Sequence, residues 1–327
     1  RVLELASTLS DPINLSIGQP DFVVPDALKK AAVAAIEGDV NGYALTRGLP
    51  ALVERTAQHL QTDVGWDCSV LPGGGGPGVL VTAGTSGALV LAFMSVLGEG
   101  DEIVMPDPYF VSYPELAKMC GAKAVLCDTY PDFRMTAERV EPLITERTKA
   151  VLYCSPSNPA GVALTEAECR DLLALCRDKG VLLIADEIYD EFAFGAARTQ
   201  ATVGGGGGGA AELRCPSPAR FAGADEDVLL IRGFGKTYGC TGWRLGYVAG
   251  PGELIAQMGK LQQYTFVCAP TPLQAGVIAA FDTDMRQTVD VFEKRRDMVL
   301  SVLSAVTEVP EPDGAFYAFV RVPERLG

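Results

Sequence analysis

Seven short apolar runs recur along the chain, at 79–83, 102–105, 124–127, 150–154, 181–185, 228–231 and 245–249. Each is long enough for a strand and too short for a helix. Their near-continuous apolar character is that of strands covered on both faces. Stretches with helical spacing lie between them, at 87–97, 114–120 and 166–179. This alternation predicts an α/β fold, a mostly parallel seven-stranded sheet flanked by helices. In open sheets of that kind a ligand sits at the carboxyl ends of the strands.

Outside the runs, 1–10 has weak helical periodicity, 13–17 reads as a short strand, and 27–37 as a helix that Asp26 can cap. A helix is predicted over 50–61 with His59 on its polar, solvent side, another over 285–306, and a turn into a strand over 313–320. The glycine runs 73–78 and 204–209 are costly to order and read as surface loops. These elements divide into a large domain, 28–284, and a smaller α+β domain made of 1–27 and 285–327, expected to be incomplete at both ends. The net charge of −14 argues against nucleic acid and anionic lipid as partners. No apolar run is long enough for a membrane span and no signal-peptide pattern opens the chain, so the cytoplasm is the expected compartment. Nine cysteines, none spaced Cys-x-x-Cys, read as reduced core residues. A single histidine excludes a Ser-His-Asp hydrolase.

The run 228–231 stops at a glycine-broken turn that carries Lys236 between Gly235 and Gly239. Lysine is strongly hydrated, so one at the mouth of a buried strand points to a reacting amine, and a partly desolvated amine forms Schiff bases with aldehydes. Eight residues on, the Arg244 fork suits a phosphate. An aldehyde and a phosphate together describe pyridoxal phosphate. A rival reading takes Gly235-Lys236-Thr237 as the tail of a P-loop, with the Asp186-Glu187 strand as its partner; Leu230 stands where that loop needs glycine, and the acidic strand precedes the lysine.

Asp186 closes an apolar strand and is the right type to hold a protonated pyridine nitrogen; Tyr189 can donate to the ring's phenolic oxygen. Asn158, in Ser-Pro-Ser-Asn-Pro-Ala-Gly (155–161), either tunes that same oxygen or belongs to a simple sharp loop. Gly84, Thr85 and Ser86 join a strand to a helix N-terminus, where amides and hydroxyls can hold a phosphate. Tyr109 stands just after a strand, where it stacks on a flat ring or packs in the core.

Taken together, Ala-Asp-Glu-Ile-Tyr (185–189), the 155–161 motif and Gly-Lys-Thr-Tyr-Gly-Cys-Thr-Gly-Trp-Arg-Leu-Gly-Tyr (235–247) resemble the class I/II aminotransferases, the aspartate aminotransferase-like, fold type I PLP-dependent enzymes. The resemblance implies pyridoxal 5′-phosphate linked to Lys236, with Asp186 on the pyridine nitrogen, Tyr189 and Asn158 on the phenolic oxygen, and Tyr109 on the ring face. Gly84, Thr85, Ser86 and Arg244 would hold the phosphate. It further implies a homodimer in which Tyr43 reaches the neighbouring subunit's phosphate, and places the Gly18 backbone near the substrate carboxylate, where Asn158 also binds. The implied reaction moves the amino group of an amino acid to a 2-oxo acid, with Lys236 as acid and base and no metal. A C–S lyase or cyclising synthase of the same fold shares these contacts. The chain departs from the pattern at Gly233 and Gly235, where hydroxyl residues are usual, and ends before the family's carboxylate-binding arginine. Arg47, in a loop near the expected entrance, reads as a surface residue.

Overall fold

The computed structural model describes residues 8, 10, 15, 18–68, 76–200 and 213–322. In chain order, helices α1 (Asp26–Glu37) and α2 (Pro50–Asp63) precede β1 (Gly78–Thr82), α3 (Gly84–Val96), β2 (Glu102–Asp107), α4 (Ser112–Met119) and β3 (Lys123–Asp128). The short α5 (Ala137–Val140) leads to β4 (Thr148–Cys154), α6 (Glu166–Lys179) and β5 (Leu182–Asp186). Two-residue strands β6 (Thr199–Gln200) and β7 (Leu213–Arg214) pair with each other, and β8 (Val228–Gly233), β9 (Gly246–Gly250), α7 (Gly252–Thr265), α8 (Thr271–Val277) and α9 (Arg286–Leu303) complete the order.

The seven long strands form one sheet in the order β1-β9-β8-β5-β4-β2-β3. All neighbours are parallel except β9, which runs antiparallel between β1 and β8. Every apolar run of the sequence is a strand of this sheet. The pleat sends alternate residues to opposite faces. Val79, Val104, Val151, Leu183, Leu230 and Ala249 enter the core on the side of α1, α2 and α6. Leu80, Ile103, Leu152, Ile184, Leu229 and Val248 enter the core on the side of α3, α4 and α7. Each fully buried aliphatic side chain contributes roughly 1.5–3 kcal/mol. Local signals match the packing in α6, where Thr165 and Glu168 form a reciprocal capping box and Gly180 ends the helix at φ 64°.

Several expectations are corrected. His59 is buried, in line with Leu52, Thr56 and Asp63 on the inner face of α2; the polar residues in that stripe disguise it as a solvent face. Asp26 is the first helical residue and pairs with Lys29 instead of capping. Gly78 belongs to β1, opposite Gly250, and a Cβ there would lie 3.0 Å from Ile255. Residues 313–320 form a turn with one isolated bridge, Ala193 to Gly314, and no strand. Helices α7 and α8 carry no strong start signal, and the sequence reading missed them. The glycine run 204–209 lies outside the described residues, as do the residues expected to form the 13–17 strand, apart from Leu15.

Candidate active site

A cavity of about 510 Å³ opens at the carboxyl ends of β4, β5 and β8 and is lined by Gly18, Gly84, Thr85, Ser86, Tyr109, Asn158, Asp186, Tyr189, Lys236 and Arg244. Ten of the eleven residues singled out in the sequence therefore meet in one place. The eleventh, Tyr43, is 88% exposed and is not among the lining residues.

Lys236 lies in the turn that follows β8, a turn closed by the Phe234 amide on Leu245 O and the Tyr238 amide on Phe234 O. Its amine donates to the Gly18 carbonyl and stands 5.9 Å from the Tyr189 ring centroid and 5.8 Å from that of Phe316. Burial lowers its pKa, Arg244 lowers it further, and Asp186 pulls the other way. Among the described residues no carboxylate forms an ion pair with it.

Asp186 is the last residue of β5 and is buried. Burial pushes its carboxyl up to about 6, against two donors that favour the ionised form. One is the Ile188 amide at 3.3 Å; the other is the Tyr113 hydroxyl at 2.8 Å. Tyr113, wholly buried on α4, is a site residue that sequence reasoning missed, and only its proximity to Tyr109 hinted at it. Tyr317 was missed as well. Its hydroxyl accepts from Asn158 Nδ2 at 3.3 Å and bonds the Tyr189 hydroxyl.

At the other end of the cavity Gly84, Thr85 and Ser86 open α3. Gly84 has φ 69°, and a Cβ on it would fall 2.7 Å from Arg244 Nη2, so the guanidinium and the helix terminus form a cradle that only glycine permits. Arg244 donates to Thr241 O at 3.0 Å and to Ser86 Oγ at 3.4 Å and forms no ion pair among the described residues. A cation, two hydroxyls and helix-terminal amides without a carboxylate fit a phosphate. Asp186, Tyr189, Asn158 and the flanking Tyr109 fit a flat ring with one basic nitrogen and one oxygen. The donor set thus fits pyridoxal phosphate. Gly233 is explained by space: a Cβ there would meet Ile188 at 3.0 Å and Thr85 at 3.1 Å. Arg47 is half-buried, its guanidinium donating twice to Val79 O at 3.2 and 3.1 Å, and does not line the cavity.

Behind the site, on the opposite face of the sheet, the strand ends carry a second set of charges. Arg232 of β8, 1% exposed, pairs with Asp63 of α2, with Glu187 at 2.9 Å and with Asp190 at 3.3 Å. Arg220 reaches Asp63 at 2.9 Å, Arg214 pairs with Asp190 and with Glu191 at 3.0 Å, and Glu187 accepts from Tyr153 at 2.6 Å. Burial works against ionised Asp63, but Arg232 and Arg220 outweigh it and hold the pKa well below the ordinary value. His59, packed 5.1 Å from the Phe281 ring, has its pKa well lowered by burial and by Arg214.

Known proteins share both architecture and sequence with this chain. It is 34% identical over 324 residues to a probable aspartate aminotransferase of Methanocaldococcus jannaschii, covering 96% of this chain and 80% of that one. It is 34% identical over 328 residues to the aspartate aminotransferase of Geobacillus stearothermophilus, covering 98% and 78%. The solved aspartate aminotransferase of Thermus thermophilus with maleate superposes with a TM-score of 0.86 at 30% identity, over 97% of this chain and 79% of that one. The pattern of aminotransferase class I and II matches residues 10–325. With the mixed seven-stranded sheet and a lysine at the end of β8 facing an aspartate at the end of β5, this places the chain in the class I and II aminotransferase family.

Proposed function

We propose that this aminotransferase uses pyridoxal 5′-phosphate, bound in the 510 Å³ cavity, to transfer the amino group of an amino acid to a 2-oxo acid, with Lys236 as the reacting amine. The observation that carries the reading is the state of Lys236: half-buried, lowered in pKa, and unpaired with any carboxylate among the described residues. When bound, the cofactor supplies an aldehyde carbon for the amino group and a ring that accepts the electron pair of the broken Cα–H bond.

The chain's own residues do the rest. Lys236 Nζ, kept from full hydration, takes the proton from the substrate Cα and later returns it. The Asp186 carboxylate, oriented by Tyr113 and the Ile188 amide, would hold a proton on the ring nitrogen. Tyr189 and Asn158 would donate to the ring oxygen, and Tyr109 would flank the ring. Arg244, Ser86, Thr85 and the α3 amides would hold the phosphate. Gly18, whose carbonyl already meets Lys236, lies where the substrate carboxylate approaches.

We further infer a homodimer. Tyr43 and Leu45 project outward beside the end of α7, to which Thr46 and Gln262 bind them, and Tyr264 there is also exposed; this supports a second copy on that face, with Tyr43 reaching its phosphate site. All nine cysteines are free, which fits a reducing compartment such as the cytoplasm. Residues 1–27 and 285–327 are read as a second, smaller domain. Both curated relatives named above carry aspartate in their names, so aspartate with 2-oxoglutarate is the first pair to assay.

The test is an absorption spectrum of the protein with added cofactor, before and after borohydride, for wild type and Lys236→Ala. The expected result is a visible band that borohydride fixes onto Lys236, and transfer that needs both an amino acid and a 2-oxo acid. Lys236→Ala should lower turnover about a thousandfold or more. A folded wild-type protein without the band, or turnover indifferent to the 2-oxo acid, overturns the reading.

A further inference from the structure

The turn after Pro312 brings a hydroxyl into the cavity that none of the recognised motifs uses. It is fastened on two sides: the Gly314 amide donates to Gly161 O at 2.9 Å and the Ala315 amide to Phe192 O at 2.7 Å. Asp313 adds a third anchor, accepting from Arg134 at 2.8 Å and from the Ala163 amide at 3.1 Å. Tyr317 is thereby held between the Asn158 loop and the segment after β5. Its ring meets Tyr189 edge-on at 5.5 Å and 90°.

The hydrogens can be assigned by accounting. An amide nitrogen only donates, so at 3.3 Å the Tyr317 oxygen is the acceptor from Asn158. Either hydroxyl can donate in the Tyr189–Tyr317 bond; with the Tyr317 proton in it, the Tyr189 proton is left for the cavity. Each donor in such a row strengthens the next. The same hydroxyl limits the segment that meets Lys236: a Cβ on Gly18 would fall 2.1 Å from it.

We propose that Tyr317 is a positioning residue: its hydroxyl aligns the Asn158 amide and the Tyr189 hydroxyl, so that the Tyr189 proton is presented to an oxygen of the ligand opposite Lys236. The inference rests on the reading that pyridoxal phosphate fills the cavity with its ring oxygen toward Tyr189. A donor to an ionised oxygen lowers the pH at which the linked group loses its proton; removing it raises that pH.

The test compares wild type, Tyr317→Phe, Tyr189→Phe and the double variant. Two measurements are made: cofactor affinity, by fluorescence quenching of the cofactor-free protein, and the pH midpoint of the visible band in the loaded protein. Tyr317→Phe keeps the ring packing, and thermal melting checks the fold. Loss of one hydrogen bond should weaken cofactor binding about fivefold. The midpoint should rise by about half a pH unit. The double variant should move no further than Tyr189→Phe alone. A purely structural Tyr317 would change melting and leave the midpoint in place. Wild-type affinity and midpoint in Tyr317→Phe, beside a shift in Tyr189→Phe, overturn the inference alone, as do strictly additive effects. Absence of cofactor binding by the wild type overturns the inference together with the reading beneath it.

Discussion

The ends of β5 and β8 serve two charged regions on opposite faces of one sheet, and the two are built by contrary rules. Asp186 emerges on one face and Glu187 on the other; Arg232 points to the far side and Lys236 to the cavity. On the far side every carboxylate has a guanidinium partner: Asp63, Glu187 and Asp190 surround Arg232, with Arg214 and Arg220 completing the cluster. In the cavity, among the described residues, Lys236 and Arg244 form no ion pair and the Asp186 carboxylate is hydrogen-bonded by a hydroxyl and an amide. Charges satisfied within the chain hold structure. Charges left for a ligand cost stability until it arrives.

That contrast can be broken most forcefully at Arg232. Arg232→Ala leaves Asp63 and Glu187 buried without their main partner and should destabilise the cofactor-free protein by about 3–5 kcal/mol, read from urea unfolding. Lys236→Ala, equally a lost cation, should change stability by less than about 1 kcal/mol, because a half-buried amine without a carboxylate contributes little. Equal losses in the two variants would erase the distinction.

A smaller, opposite effect is expected at Asp186. Its folded pKa of about 6 lies above the ordinary 3.8, so the native state is penalised wherever the group is ionised. The penalty is absent below 3.8, grows as pH rises from 3.8 to about 6, and is complete above that. Asp186→Asn should therefore stabilise the cofactor-free protein by about 1–2 kcal/mol at neutral pH, with the gain vanishing in acid, while transamination is lost. A variant less stable than wild type at neutral pH would count against an unneutralised carboxylate.

A pH-dependent change comes from His59, on the paired side. Its folded pKa lies well below 6.5, so the unfolded chain takes up a proton that the native state refuses. Stability should fall as pH drops below 6.5, by up to about 1.4 kcal/mol per unit. His59→Gln should flatten that slope, and an unchanged slope would assign acid sensitivity to other groups.

Much of this arrangement is legible along the chain because strand ends and their turns are local. Apolar runs mark all seven strands, and Asp186, Asn158, Lys236 and Arg244 each sit within a few residues of the strand that places them. Partners that come from elsewhere leave no such mark. Tyr113 is 73 residues from Asp186, Tyr317 is 128 from Tyr189, and Arg232 is 169 from Asp63. A polar stripe on α2 reads as a wet face until Arg232 and Arg220 are seen to cover it. Helices α7 and α8 escape notice for a different reason: neither start has a side-chain cap.

The register of β5 against β8 pairs Asp186 with Ile231 and so sets where the turn that carries Lys236 begins. The segment that joins them carries Tyr189 to the cavity and Asp190, Arg214 and Arg220 to the cluster on the far side. One residue gained or lost between Leu182 and Glu187 would exchange the two faces and put each carboxylate in the other's place.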